Sequence, residues 1–422
     1  MIKVKIGSMS LAFIMIAVLS LLVFSPDAGA AGKTVYIGGT MSLTGPYAED
    51  SAAILAGFED YIKYVNETKQ LAPWLKEKWP ADITIELLWR DDELKPPKAL
   101  SIYEELKAKG ILLYRISGSP IALALMDKLK EDNMGATSMA SGPYLLKPPK
   151  TIFPQYSIYT DEAGAFGEWF LKGWKEKRKP RFAFLTADSP FGRSVETPEL
   201  KAYLEKIGIE VVGSQYVPMV PTAPPTTQLM WLKQNKIDLT FGCMINPGAQ
   251  PTIKEAVRLG MGTDKPFKIT FGFALPAHLQ VFVPAMGELG NGLVVAGGYP
   301  SHWPTVSKDD LPGIKFCHEL IKKYRSGKTV AHIMYPHGAV EAMIQVEALR
   351  LALQKTPLEK LKPIDVLQNG FHKIKNLSTG GITNTPLTFG PNDVEGIDAI
   401  RIQQVQKGQI VELGVYPTRH IY

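Results

Sequence analysis

Three short turns hold the residues whose types could do chemistry: Ser117-Gly118-Ser119-Pro120, Ala140-Ser141-Gly142-Pro143 and Ser42-Leu43-Thr44-Gly45-Pro46-Tyr47. Each follows an apolar run that reads as a strand, and the first precedes a helical pattern. Ser119 fits an N-cap and Pro120 the first helical position, which leaves the N–H groups just beyond for an anion. Ser117 and Ser119 add hydroxyls at the same spot; the alternative is that both serines merely cap and turn the chain. Three adjacent Ser/Gly/Pro turns, with Tyr47 on the near wall, suit a carboxylate-sized polar pocket better than any one turn alone.

Catalytic constellations are missing. The sequence has no G-x-S-x-G elbow, no GxxxxGK[ST] phosphate loop and no GxGxxG after the first strand. The 7 histidines lack metal-ligand spacing; His332 and His337 stand either side of Pro336. Neither a metal nor a cofactor is expected. Asp91-Asp92, at a strand end, could act as acid and base, but a solvated or hinge-side turn is the commoner role for such a pair. Arg115 is a charge inside an apolar strand, positioned to pair with Asp91 or Asp92 or to reach a ligand.

The elements that must position these turns alternate. Strands are expected at 34–38, 83–89, 111–117, 182–186, 209–214, 238–241 and 267–271. Between them lie helices at 97–109, 121–131, 194–207, 226–235 and 249–259, and one carrying Ile54, Phe58, Ile62 and Val65 on one face. Helices between strands imply βαβ units and parallel sheets covered on both faces. Irregular stretches at 147–160, 276–299 and 378–391 interrupt the series, the last after a helix at 338–353. These read as three crossings between two lobes, which can close like a hinge. The expected division is a first lobe of 31–154 plus 280–385 and a second of 155–279 plus 386–422.

The first 30 residues have a separate meaning. Lys3 and Lys5, an apolar run of about 14 residues from Leu11 to Phe24, and Ala28-Gly29-Ala30 read as a cleaved secretory signal peptide. The alternative is an uncleaved anchor. No cysteine follows the run to carry a lipid, so a free protein starting near Ala31, in a periplasm, is expected. Removing Lys3, Lys5 and Asp27 takes the formal charge from +6 to +5. That charge is spread along the chain and gives no reason to expect nucleic acid as a partner. The 2 cysteines, Cys243 and Cys317, are too few for a disulfide framework; two buried thiols are favoured over one bond.

On these residues the chain resembles the type I periplasmic binding proteins of ABC importers, nearest the leucine/isoleucine/valine-binding branch. The resemblance rests on Met41–Pro46, Trp89–Asp92, Ser117–Pro120, Ala140–Pro143, Asp188-Ser189-Pro190-Phe191-Gly192 and Leu387–Asp393, in that order along the chain. It implies two Rossmann-like lobes joined by three crossings, working as a monomer with an inner-membrane permease as partner. It also implies that turns Ser117–Ser119 and Ala140–Ser141 hold a ligand carboxylate. Tyr159, Asp161, the turn Met244–Asn246 and a position near Phe273 would face the ligand from the far lobe. Amino-acid binders commonly place a carboxylate near Phe273 for the ammonium group, and here an apolar ring stands there. The ligand is then either an amino acid held by Asp161 or an organic acid lacking an amine, including an aromatic one. A periplasmic sensor of the same fold, and a secreted enzyme using Asp91, Asp92 or Asp188, are the alternatives.

Overall fold

A computed structural model describes residues 32–149, 151–274, 277, 279–297, 303, 311–326 and 332–422. The signal peptide expected at 1–30, and Pro276, Gly298 and Tyr299 of the second crossing, lie outside the described residues. Two sheets organise the chain. The first contains β1 (Lys33–Met41), β2 (Ile83–Asp91), β3 (Leu113–Ile116), β4 (Ala136–Ser138) and β5 (Ile152–Pro154) in the order β2-β1-β3-β4-β5, all parallel. The second contains β6 (Arg181–Ala187), β7 (Glu210–Val217), β8 (Leu239–Gly242), β9 (Thr270–Ala274), β10 (Val294–Gly297), β11 (Ala399–Gln406) and β12 (Gln409–Pro417). Their order is β12-β11-β10-β9-β8-β6-β7, with β11 antiparallel to both neighbours and the other pairs parallel.

Helices cover both faces, because strands with no polar face must bury two. In β6, Phe182 and Phe184 pack with Phe166 of helix α4 (Tyr159–Gly173) and Leu200 and Leu204 of α5 (Pro198–Lys206). The alternate residues Ala183, Leu185 and Ala187 join the cluster that holds Leu229 of α6 (Thr226–Gln234) and Ile253 of α7 (Asn246–Arg258). In the first lobe, α1 (Ala48–Thr68), α2 (Pro96–Ala108) and α3 (Ser119–Glu131) flank the sheet. No described helix is long and apolar enough to cross a membrane.

Two later helices, α9 (Pro312–Tyr324) and α10 (Met334–Leu353), return to the first lobe. Here α1 and α10 cross with backbones touching: a Cβ on Gly57 would lie 2.0 Å from the carbonyl oxygen of Tyr335, and one on Gly338 2.0 Å from that of Ile54. Below this crossing runs a buried polar chain. Arg115 Nε reaches Glu341 Oε2 at 3.2 Å and its Nη1 donates to the Thr40 carbonyl at 2.9 Å. Thr137 Oγ1 donates to Glu341 Oε1 at 2.8 Å. The expectation that Arg115 pairs with Asp91 or Asp92, or reaches a ligand, is therefore corrected. Its partner is a helix residue 226 positions away, which no local pattern could indicate.

The boundary expected at residue 280 is corrected too. α8 (Leu279–Met286) leads into β10, which pairs with β9 and β11, so the chain stays with the second sheet to Gly297. The four-residue strand is buried throughout and carries no period-2 signal. The β11–β12 hairpin was also not expected, although its turn, Lys407-Gly408 with φ of 50° and 67°, is a legible hairpin signal. Cys243 and Cys317 are both free and buried.

Candidate functional site

The sheet order sets β1, β3 and β4 side by side, so the three Ser/Gly/Pro turns emerge together at the C-terminal edge of the first sheet. The aspartate pair stitches that edge. Asp92, fully buried, accepts from Ser42 Oγ at 2.7 Å, from Leu94 N at 2.8 Å and from Ser117 Oγ. Asp91 accepts from Leu43 N at 3.0 Å and Thr44 Oγ1 at 2.8 Å. Both carboxylates hold loops in place. Ser117, expected to contact a ligand, gives its hydroxyl proton to Asp92 and does not line the cavity between the lobes.

Ser119 and Ser141 differ from it. Gly118, not Ser119, occupies the N-cap of α3, with Ser119 as the first helical residue and Pro120 after it. Ile121 N and Ala122 N both bond to the Gly118 carbonyl, and Pro120 has no N–H, so the N–H groups just beyond Pro120, expected to be free for an anion, are taken up within the helix. Ser141 Oγ is buried and has no hydrogen-bond partner. An unmet hydroxyl costs about 1–3 kcal/mol, and it lies where strand β4 has just ended.

The second lobe presses directly on these turns. Tyr159 N donates to the Ser141 carbonyl at 3.3 Å, and its hydroxyl donates to the Met139 carbonyl at 3.1 Å. Tyr144 Oη donates to the Pro190 carbonyl at 3.2 Å. Phe191, held by a turn in which Ser189 Oγ caps Gly192 N at 3.1 Å, meets Tyr159 edge-to-face at 5.5 Å. Between the lobes remains a cavity of about 10 Å³, lined by Tyr47, Ser119, Met139, Ala140, Tyr159 and Phe191, with the Gly118 backbone. That is room for about one water, so the lobes are closed on each other. Burial holds the Tyr47 and Tyr159 phenols well above their ordinary pKa and pushes Tyr144 up to about 12.

Four expected site residues stand elsewhere. Asp161 is fully buried, but its Oδ1 accepts from Ile421 N at 2.8 Å and Arg419 N at 3.3 Å, and its Oδ2 from His420 N at 3.2 Å. It holds the tail 419–421 instead of facing the cavity. Phe273 is buried in the core with Ile253 and Ala277, and Met244 is equally buried, neither lining the cavity. Asn246 begins α7 with its Oδ1 buried and unpartnered, also outside the cavity lining.

Comparison with known proteins settles the ancestry of this arrangement. A family model described as periplasmic binding protein matches residues 34–409. The chain belongs to the periplasmic binding protein family. A search of curated proteins finds no match. Among solved structures, this binding protein is similar to a branched chain amino acid ABC transporter protein from Thermus thermophilus with bound valine. The TM-score is 0.77 at 20% identity, over 93% of this chain and 98% of that one. It is also similar to a fatty acid ABC transporter substrate-binding protein from Thermomonospora curvata (0.73, 22%, 92% and 94%). A third is a solute binding protein of an ABC transporter from Rhodopseudomonas palustris BisB5 in complex with 3,4-dihydroxy benzoic acid (0.70, 18%, 91% and 98%). At these identities the likeness is one of fold: the binding protein has the type I architecture, α/β with two mostly parallel sheets.

Sequence reasoning had not assigned Phe191, Met139 and Gly118 to the cavity. Phe191 was visible only as a phenylalanine in the Asp188–Gly192 turn, and Met139 only as the residue before Ala140. Which lobe-2 turn would face them depends on how the lobes close, and no local signal carries that.

Proposed function

We propose that this binding protein is the periplasmic solute-binding component of an ABC importer, captures a small carboxylate-bearing ligand between its lobes and hands it to an inner-membrane permease. The carrying observation is Ser141 Oγ, buried and without a partner, one residue past Ala140 of the interlobe cavity, in a turn whose carbonyl meets Tyr159 N of the second lobe. A carboxylate there gains charge-assisted hydrogen bonds in a water-poor site, and the gain is available only when the lobes close. No bond is made or broken. The similar structures with bound valine and with 3,4-dihydroxy benzoic acid, and the fatty acid transporter's binding protein, support an acid as the ligand chemistry. Export as a monomer is part of this reading; the signal-peptide pattern and the family support export, and release of a chain beginning near Ala31 by osmotic shock tests it.

Native mass spectrometry of the protein as purified from cells, seeking a co-purifying small acid, tests capture. Thermal shift with that acid should raise Tm at saturation by mass action. An unchanged Tm at saturation would refute capture.

A further inference from the structure

Helix α4 begins at the cavity between the lobes, with Tyr159, and ends at Gly173, about 20 Å away at 1.5 Å per residue. Beyond that end, where β8 and β9 start, the second lobe holds a cavity of about 600 Å³. Small-molecule pockets run from about 300 to 1,000 Å³. We infer that this cavity is a second binding site, separate from the cleft, for an amphipathic anion: an apolar ring-bearing body with one acidic head. The inference does not depend on what the cleft captures.

The walls set the body of the ligand. Trp169, Phe170 and Trp174, all half-buried, come from the C-terminal end of α4 and the residue after it. Leu413 and the buried Tyr416 come from β12, and the buried Ile269 from the approach to β9. The Phe170 and Trp174 rings lie 5.5 Å apart with 32° between their planes, and Trp169 meets Phe170 at 6.5 Å. Neighbouring rings left half in water on one concave surface mark an interaction site, and their faces and edges favour a flat apolar guest.

Rings alone would suit a cation as well, held over their faces. The charges decide otherwise. Glu176 and Asp238 line the cavity, but one guanidinium takes both. Arg178 Nε meets Glu176 Oε2 at 2.8 Å, and its Nη1 and Nη2 donate to Asp238 at 2.6 and 2.8 Å. Lys172 and Lys268 also line the cavity, and neither pairs with a carboxylate among the described residues. Lys172 Nζ donates to the Tyr416 hydroxyl at 3.1 Å and sits 4.2 Å over that ring. The run from Lys172 to Arg181 carries six basic residues and one acidic. The field at this end of the lobe is therefore positive, which repels a cation and leaves two ammonium groups for an acidic head.

Fluorescence titration of the mature protein with two matched dyes tests this: 8-anilinonaphthalene-1-sulfonate, and N-phenyl-1-naphthylamine, which has the same rings without the sulfonate. Trp174→Ala should weaken binding of both dyes by at least about tenfold through the lost ring contacts. Lys268→Glu replaces an attraction by a repulsion at an exposed position. It should weaken the sulfonate by at least about fivefold and change the neutral dye by less than about twofold. Circular dichroism of both variants should match the wild type. Failure of the sulfonate to bind, or equal binding by the wild type and both folded variants, overturns the site. A loss in Lys268→Glu shared equally by the two dyes, or displacement of the sulfonate by phenyltrimethylammonium, overturns the anionic class. Absence of dye selectivity, together with sedimentation of the wild type but not Lys268→Glu with phosphatidylglycerol vesicles, overturns the pocket in favour of an anionic membrane face.

Discussion

The unmet hydroxyl of Ser141 makes one substitution diagnostic, because its effects on stability and on binding have opposite signs. Ser141→Ala removes a buried group that has no hydrogen-bond partner in the closed protein. Leaving such a group unpaired costs about 1–3 kcal/mol, so the ligand-free variant should be more stable by about 1 kcal/mol once its lost contacts are subtracted. With an unfolding entropy of about 2.1 cal/mol/K per residue over roughly 390 residues, that raises Tm by about 1 °C. Ligand binding should move the other way. A hydrogen bond to a charged group contributes about 1.5–3 kcal/mol, so loss of the hydroxyl should weaken binding by roughly 10- to 150-fold. Differential scanning calorimetry without ligand, and titration calorimetry with the acid that co-purifies, read the two effects separately. A serine that only caps its turn would lose stability and keep affinity; that pattern would refute the placement of the carboxylate.

Three other perturbations probe what holds the lobes. Glu341→Ala strands the fully buried Arg115 guanidinium and should destabilise the fold by about 3–5 kcal/mol, seen as a lower denaturant midpoint; a change below about 1 kcal/mol would mean that the pair is hydrated. Gly57→Ala and Gly338→Ala each drive a methyl into a carbonyl of the opposing helix and should cost about 1–3 kcal/mol or more by overpacking, whereas Ala53→Gly in the same helix should cost only about 1 kcal/mol; equal effects would deny the close crossing. Burial first, and the neighbouring Asp161 carboxylate second, push Glu395 well above its ordinary pKa, and burial raises Asp161 likewise. The folded protein then holds protons that the unfolded chain releases above about pH 4.5, so this pair's contribution is complete at acid pH and is lost as pH rises. Tm should therefore fall from pH 5 to pH 8 more steeply in the wild type than in Glu395→Gln, and parallel profiles would show that the pair is not the source.

The tail that Asp161 holds also ties the two lobes. Thr160 Oγ1 donates to the Ile421 carbonyl at 2.6 Å, Arg419 Nε to Glu168 Oε1 at 2.7 Å, and Lys147 of the first lobe sits 3.9 Å over the Tyr422 ring. Glu395, just past the stretch expected to be the third crossing, accepts from Ile158 N on the first at 3.4 Å. Asp161, at the start of α4, is expected to face a ligand only from the family resemblance. Its actual partners lie 258 to 260 positions further along.

The amino-acid order alone determined the alternation of strands and helices and the cluster of Ser/Gly/Pro turns. These are properties of local hydrophobic period and turn chemistry, and they need only a window of residues to be read. It also sufficed to place Ser119 and Ala140 at the ends of adjacent strands, because parallel βαβ units put successive strand ends on one edge. Tertiary structure decided which hydroxyl stays unpaired, since Ser117 and Ser141 look alike in sequence and only Ser117 meets Asp92. It decided the partner of Arg115, the lobe to which Val294–Gly297 belongs, and the withdrawal of Asp161 from the cleft. Each of these is a choice among distant partners made by burial: a charged or polar group shut away from water takes whichever complementary group the folded chain brings within 3 Å or so, however far apart the two stand in sequence.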